Sequence, residues 1–181
     1  MVLFANIKQA LLAHNYKRES SKLVRNRRTY NLEDAETVGL LFFIENPEQY
    51  QKALEIIKVF QDKKLRVQAL GFINQKNYPP YFQPRIFFNI ITLKDLNWYG
   101  KPSATSIYNF IKIDFDILID LGPGDEYALQ YISGLSKAKF KVGRYLKKNE
   151  AFYDLMINLD KKTGIDEFVD QVIHYLSLIK N

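Results

Sequence analysis

The chain has 181 residues, 47% of them hydrophobic and 25% charged, which is the size of one domain and the balance of a globular protein rather than of a collagen-like, disordered or coiled-coil chain. Cysteine is absent, so disulfides, thiolate nucleophiles and cysteine-held zinc or iron–sulfur centres are excluded. Of the net charge of +6, the window 17–28 alone carries +5, from Lys17, Arg18, Lys22, Arg25, Arg27 and Arg28 against Glu19.

Leu3, Ile7, Ala10 and Leu11 recur at helical spacing and predict a short amphipathic helix running into that basic window. Residues 1–35 therefore read as an N-terminal helix and basic arm, and 36–181 as a single α/β domain. No apolar run approaches the ~18 residues of a membrane span. Asn6, Lys8 and Gln9 interrupt the apolar start, which also lacks the basic lead of a signal peptide. The expectation is a cytoplasmic protein without a transmembrane segment.

From Val38 to Ile44 the apolar residues are continuous rather than alternating, as in a strand buried on both faces of a parallel sheet. Asn46 then caps a helix with Pro47 at its first position, and Tyr50, Ala53, Leu54, Ile57 and Phe60 mark its apolar face up to Lys63 and Lys64. A second strand over 66–73 completes a βαβ crossover. After a proline- and tyrosine-rich loop over 74–84 come strands at 86–92, 115–121, 139–145 and 152–158 and helices at 102–111, 123–138 and 165–179. Such alternation predicts a three-layer α/β sandwich around a mostly parallel, doubly wound (Rossmann/flavodoxin-like) sheet with an N-terminal helical basic arm.

Chemistry-bearing motifs are few. His14 and His174 are the only histidines; His174 falls opposite the apolar stripe of its helix, toward solvent. No catalytic residue, metal site or cofactor is called for by any spacing. Gly122, Pro123 and Gly124 join a strand to a helix, but Asp125 and Glu126 follow in what reads as the first helical turn, where a phosphate would have to sit. Open parallel sheets bind ligands at the carboxyl ends of their strands, which makes Glu45, Asn74, Asp95, Asn97, Asp120 and Arg144 the candidate ligand-binding residues. Trp98, the only tryptophan, joins them within the string DLNWYGKP, either as a recognition surface or as closure of the sheet edge. Asp116 and Asp120 share a strand face at ~13 Å, too far apart for paired-carboxylate catalysis.

The strings VGLLFFIENPEQYQKALEII (38–57), DLNWYGKP (95–102), FDILIDL (115–121), SKAKFKVG (136–143) and YDLMIN (153–158) resemble an uncharacterised family of bacterial proteins of this length. The resemblance implies an α/β fold and no assigned activity. Residues 115–143 are also similar to a strand–helix–strand unit in the N-terminal domain of heptosyltransferase-type glycosyltransferases, enzymes that need two such domains; no site residue carries over.

Two functions follow as expectations. Lys17, Arg18, Lys22, Arg25, Arg27 and Arg28 form a nucleic-acid-binding arm that docks on RNA or the ribosome, flanked by Tyr16 and Tyr30 for stacking. Alternatively, the crevice residues bind a small molecule or nucleotide, with or without catalysis. A homodimer through Phe4, Ile7 and Leu11 is a further expectation for the N-terminal helix.

Overall fold

Residues 2–83, 85–160 and 163–180 are described by the structure, a computed structural model; in the N-terminal helix the described side chains are those of residues 7 and 8 and of 10 onward. Strand β1 (Thr37–Phe43) occupies the middle of a six-stranded sheet. Its unbroken apolar run is divided between two cores, Val38, Leu40 and Phe42 facing one and Leu41 the other. Beside it lie β2 (Arg66–Ile73) and then β3 (Phe88–Thr92) on one side, and β4 (Ile117–Asp120), β5 (Phe140–Arg144) and β6 (Leu155–Ile157) on the other. The order is thus β3-β2-β1-β4-β5-β6, and each neighbouring pair is parallel. This is a Rossmann-like sheet, wholly parallel among the described strands.

Helices α2 (Pro47–Asp62) and α5 (Ile165–Leu178) cover one face, and α3 (Thr105–Lys112) and α4 (Tyr127–Leu135) the other. The Asn46 side chain accepts from the Gln49 amide with Pro47 at the first position, as its sequence predicts. Tyr50, Ala53, Ile56, Ile57 and Phe60 of α2 are buried while Leu54 is only half-buried, a small rotation from the expected face. On α5, Phe168, Val169, Val172 and Leu176 turn inward and His174 stays exposed. Helix α4 starts four residues later than its sequence suggests, because Gly124 adopts φ 87 and Glu126, accepting from the Ala128 amide, serves as the cap.

Every residue of α4 from Ala128 to Leu135 is buried, because its outer side is covered by α1 (Val2–Ser20). The docking face of α1 is Leu12, Tyr16 and Glu19. Leu12 is buried, Tyr16 packs edge-on to Tyr131 with centroids 5.8 Å apart, and Glu19 accepts from the Tyr131 hydroxyl at 2.7 Å and pairs with Lys101. This corrects the expected stripe: Ile7 and Ala10 are exposed and Leu11 half-buried, while the side chains of Leu3 and Phe4 lie outside those described. Counting apolar residues alone selects the wrong face, since Tyr16 docks through its ring and Glu19 through a hydrogen bond and an ion pair.

The basic window continues α1 as an extended strap along the amino end of the sheet. Arg25 donates to the Lys139 carbonyl at 3.0 Å and to that of Ala138, and pairs with Asp154. Arg27 also reaches Asp154, at 3.3 Å. The Arg28 amide donates to the Lys139 carbonyl, and its guanidinium lies 5.0 Å above the Tyr30 ring. Arg25 is therefore an internal tie, its side chain only 9% exposed, whereas that of Arg27 is 70% exposed.

Candidate functional site

A doubly wound sheet opens a crevice where neighbouring crossovers leave in opposite directions, and here that point lies between β1 and β4. At their carboxyl ends the structure has a cleft of about 450 Å³. The β1–α2 turn contributes Glu45 and the first turns of α2 contribute Gln49 and Lys52; the β4–α4 loop contributes Gly122, Pro123 and Asp125; β5 contributes Arg144, followed by Tyr145. Phe42, Phe43, Leu121 and Ile157 give the cleft an apolar floor, the usual mixture of apolar wall and few polar groups in a small-molecule site.

The polar groups are individually held. Arg144 is half-buried, its guanidinium 4.2 Å above the Phe168 ring and donating to the Thr163 carbonyl at 3.2 Å. Burial lowers its pKa, against the pull of the Asp120 carboxylate. Glu45 is exposed at the rim, where the Gln49 amide group donates to it and accepts from its backbone N–H at 2.7 Å. Lys52 pairs with Glu55 at 2.8 Å and Asp166 at 3.3 Å.

Beneath the floor sits Asp120, 3% exposed and not itself lining the cleft. Its carboxylate accepts from the Tyr153 hydroxyl at 2.5 Å, the Gly122 amide at 2.9 Å and the Ser133 hydroxyl at 3.4 Å. Burial pushes the Asp120 pKa up against these donors. The same loop is held from its other end: Gln130 and Asn149 each donate to the Gly124 carbonyl at 2.7 Å. A Cβ at Gly122 would meet the end of the Leu129 side chain at 2.6 Å and the Asp120 carboxylate at 3.0 Å, and Gly124 has a positive φ that favours glycine. The loop Gly122–Asp125 is thereby a preformed wall.

Of the expected crevice residues, the cleft brings together Glu45 and Arg144 with Asp120 supporting them from below. The other four lie elsewhere. Asn74 is exposed after β2. Asp95 accepts from the Thr92 amide at 2.7 Å to close a capping box, and Asn97 organises a turn by accepting from the Tyr99 and Lys101 amides. Trp98, 66% exposed, stands in the loop that borders α1 near Leu12, its ring edge-on to Tyr99. The residues that sequence reasoning did not select, Gln49, Lys52, Asp125 and Tyr153, carry no local signal except one: Gln49 and Lys52 are three residues apart and so share one side of α2, at the end that follows Glu45.

Both helix starts that face the cleft are filled by the chain itself. Pro47 has no N–H to offer and Asn46 accepts from the Gln49 amide of α2, while the Glu126 carboxylate accepts from the Ala128 amide of α4. The caps and Pro47 thus withhold part of the amide cradle that a polyphosphate uses at a helix start. Among the described residues, no group of three or more histidines, cysteines and carboxylates could hold a metal ion, and no helix is long and apolar enough to cross a membrane.

A family model, described as a family of unknown function (DUF6913), matches residues 8–179, and the chain belongs to that family. This agrees with the resemblance to an uncharacterised family. No curated protein and no solved structure matches the chain.

Proposed function

For this member of DUF6913 we propose that the β1/β4 cleft binds a small molecule, with Glu45, Asp125 and Arg144 as the groups that recognise it. The observation that carries this reading is the position of the cleft: an apolar-floored cavity at the carboxyl ends of the two strands between which the order reverses. The firmly held Gly122–Asp125 wall supports it, since a site whose loop is already ordered loses little freedom on binding. Thermal shift against separate panels of nucleosides, nucleoside monophosphates, sugars and amino acids tests it. A ligand at a hundred times its Kd stabilises by about 2.7 kcal/mol, which for a domain of this size is several degrees of Tm. One chemical class should give that shift, and Glu45→Gln or Asp125→Asn should reduce it; no shift from any panel counts against the reading.

A second reading concerns the basic window. Lys17, Arg18, Lys22, Arg27 and Arg28 are exposed, and Arg25 ties them to the body of the protein. We propose that these five cations dock on an anionic macromolecule, with RNA or the ribosome the partner of that chemistry in a cytoplasmic setting. Held cations lose less side-chain and backbone freedom on contacting phosphates than a disordered arm would. Titrating RNA binding against salt for the wild type and for Arg27→Glu with Arg28→Glu tests this, and equal affinities would end it. Arg25 is left intact in that comparison because its replacement would loosen the strap for reasons unrelated to RNA.

A further inference from the structure

On the α1/α4 side of the sheet, β5 carries Lys141, a lysine only 2% exposed. Among the described residues its Nζ has one hydrogen bond, to the Gly134 carbonyl of α4 at 3.1 Å, whereas an ammonium group has three N–H donors to satisfy. The N-terminal segment seals this position. The Tyr16 ring lies so close over Gly134 that a Cβ there would meet it at 2.5 Å, and it packs edge-on to Phe152 with centroids 5.2 Å apart. Arg25 closes the other side by pairing with Asp154, whose carboxylate also accepts from the Lys141 amide at 2.9 Å.

We propose that residues 12–28 form a detachable cover over the Lys141 amine, closed while the amine is neutral and loosened when it takes up a proton. The connectivity allows this. All six strands follow residue 36, so the segment can lift without breaking a sheet hydrogen bond. The charged groups that bear on Lys141 are Arg25 and Arg27 of the strap and Asp154 of the β5–β6 connection; α4 offers the neutral Gly134 carbonyl, over which α1 lays the Tyr16 phenol. Burial above all, then Arg25 and Arg27, opposes a proton on Lys141 while Asp154 favours one, and together they bring the amine down to about 7. An uncovered lysine titrates near 10.4. The open form therefore holds the extra proton between about pH 7 and pH 10, and in that window closure strengthens as pH rises. The ratio of open to closed falls by up to about tenfold per pH unit there and levels off below about pH 6.

The chain supplies its own reporter, because Trp98 is the only tryptophan and lies in the loop beside α1, and no cysteine competes with an introduced one. A dansyl group on Ala10→Cys, in a His14→Gln background that removes the imidazole of α1, accepts energy from Trp98. Transfer should fall between pH 9 and pH 6 in the otherwise wild-type protein and stay high and flat in Lys141→Met. A flat wild-type profile, or the same slope in Lys141→Met, overturns the proposal. An independent measurement needs no change at Lys141: acetic anhydride should acetylate Lys141 several-fold faster in Arg25→Gln than in the wild type, relative to exposed Lys63. Equal relative rates also overturn it.

Discussion

Asp116 and Asp120 show how far one residue type can diverge within a single strand's length. Asp116 accepts from the Glu36 amide at 2.9 Å and the Thr37 amide at 3.0 Å and pairs with Lys139 at 2.8 Å. Burial alone would raise its pKa, but the Lys139 ammonium and those N–H donors hold it at about 2, below its ordinary 3.8. The carboxylate thus ties the start of β1 to β4 and β5, and its role is structural. A depressed carboxylate contributes stability that is complete above about pH 4 and is lost as pH falls through about 2. Urea unfolding of Asp116→Asn should show a loss of about 1–3 kcal/mol at pH 7, shrinking toward zero at pH 2. A loss that stays constant from pH 7 to pH 2 would show that the charge is not responsible. The sequence places both aspartates on one face of one strand, but β4 begins at Ile117, so Asp116 lies just before the strand and Asp120 at its end. Apart from the Gly122 amide, two residues from Asp120, their partners come from residues 13 to 80 positions away, and no local spacing reveals those.

At the scale of the element, α1 is the case where pattern and packing part company. Its docking positions, buried Leu12 and half-buried Tyr16 and Glu19, include one purely apolar residue, so hydrophobic periodicity selects a different face. The anchor is an aromatic cluster with polar ends: Tyr16 against Tyr131 and Phe152, and Glu19 between Tyr131 and Lys101. By contrast α2 and α5, whose inward faces are almost entirely aliphatic and aromatic, are legible to within a residue or two. Removing the Tyr16 ring should therefore act on α4 as well as on α1, because it uncovers Tyr131 and Gly134. Tyr16→Ala is expected to cost about 1–3 kcal/mol in urea unfolding and to raise hydrogen-exchange rates along 127–135. Unchanged exchange in α4 would show that α1 is not what protects it. Deletion of residues 1–30 should be more severe, since it also removes Arg25 from Asp154 and Tyr30, which is buried in the α2/α5 core.

For the whole molecule, the sheet sets the two proposed functional regions apart. The strand order was not readable from sequence, because it depends on long-range pairing, but the alternation of strands and helices and the buried character of β1 were. The cleft was legible only as a class of position, the carboxyl ends of strands; once the order is β3-β2-β1-β4-β5-β6, the ends of β1, β4 and β5 converge and those of β2 and β3 fall away, which separates Glu45 and Arg144 from Asn74, Asp95 and Asn97. The strap crosses the opposite end, where it bonds to Ala138 and Lys139 just before β5. Cleft and exposed cations are thus divided by the length of the strands, and substitutions at sites this far apart with no shared partner act additively. Arg27→Glu with Arg28→Glu should weaken RNA binding and lower the magnitude of its log–log salt slope by about 1–2, while leaving any ligand-induced shift in Tm unchanged. Glu45→Gln should do the reverse, reducing the ligand shift without altering the salt slope. If instead the arginine pair also abolishes the ligand shift, the two ends are coupled through the sheet, and the contact of Tyr16 in α1 with the Phe152–Tyr153–Asp120 chain beneath the cleft becomes the place to look for that coupling.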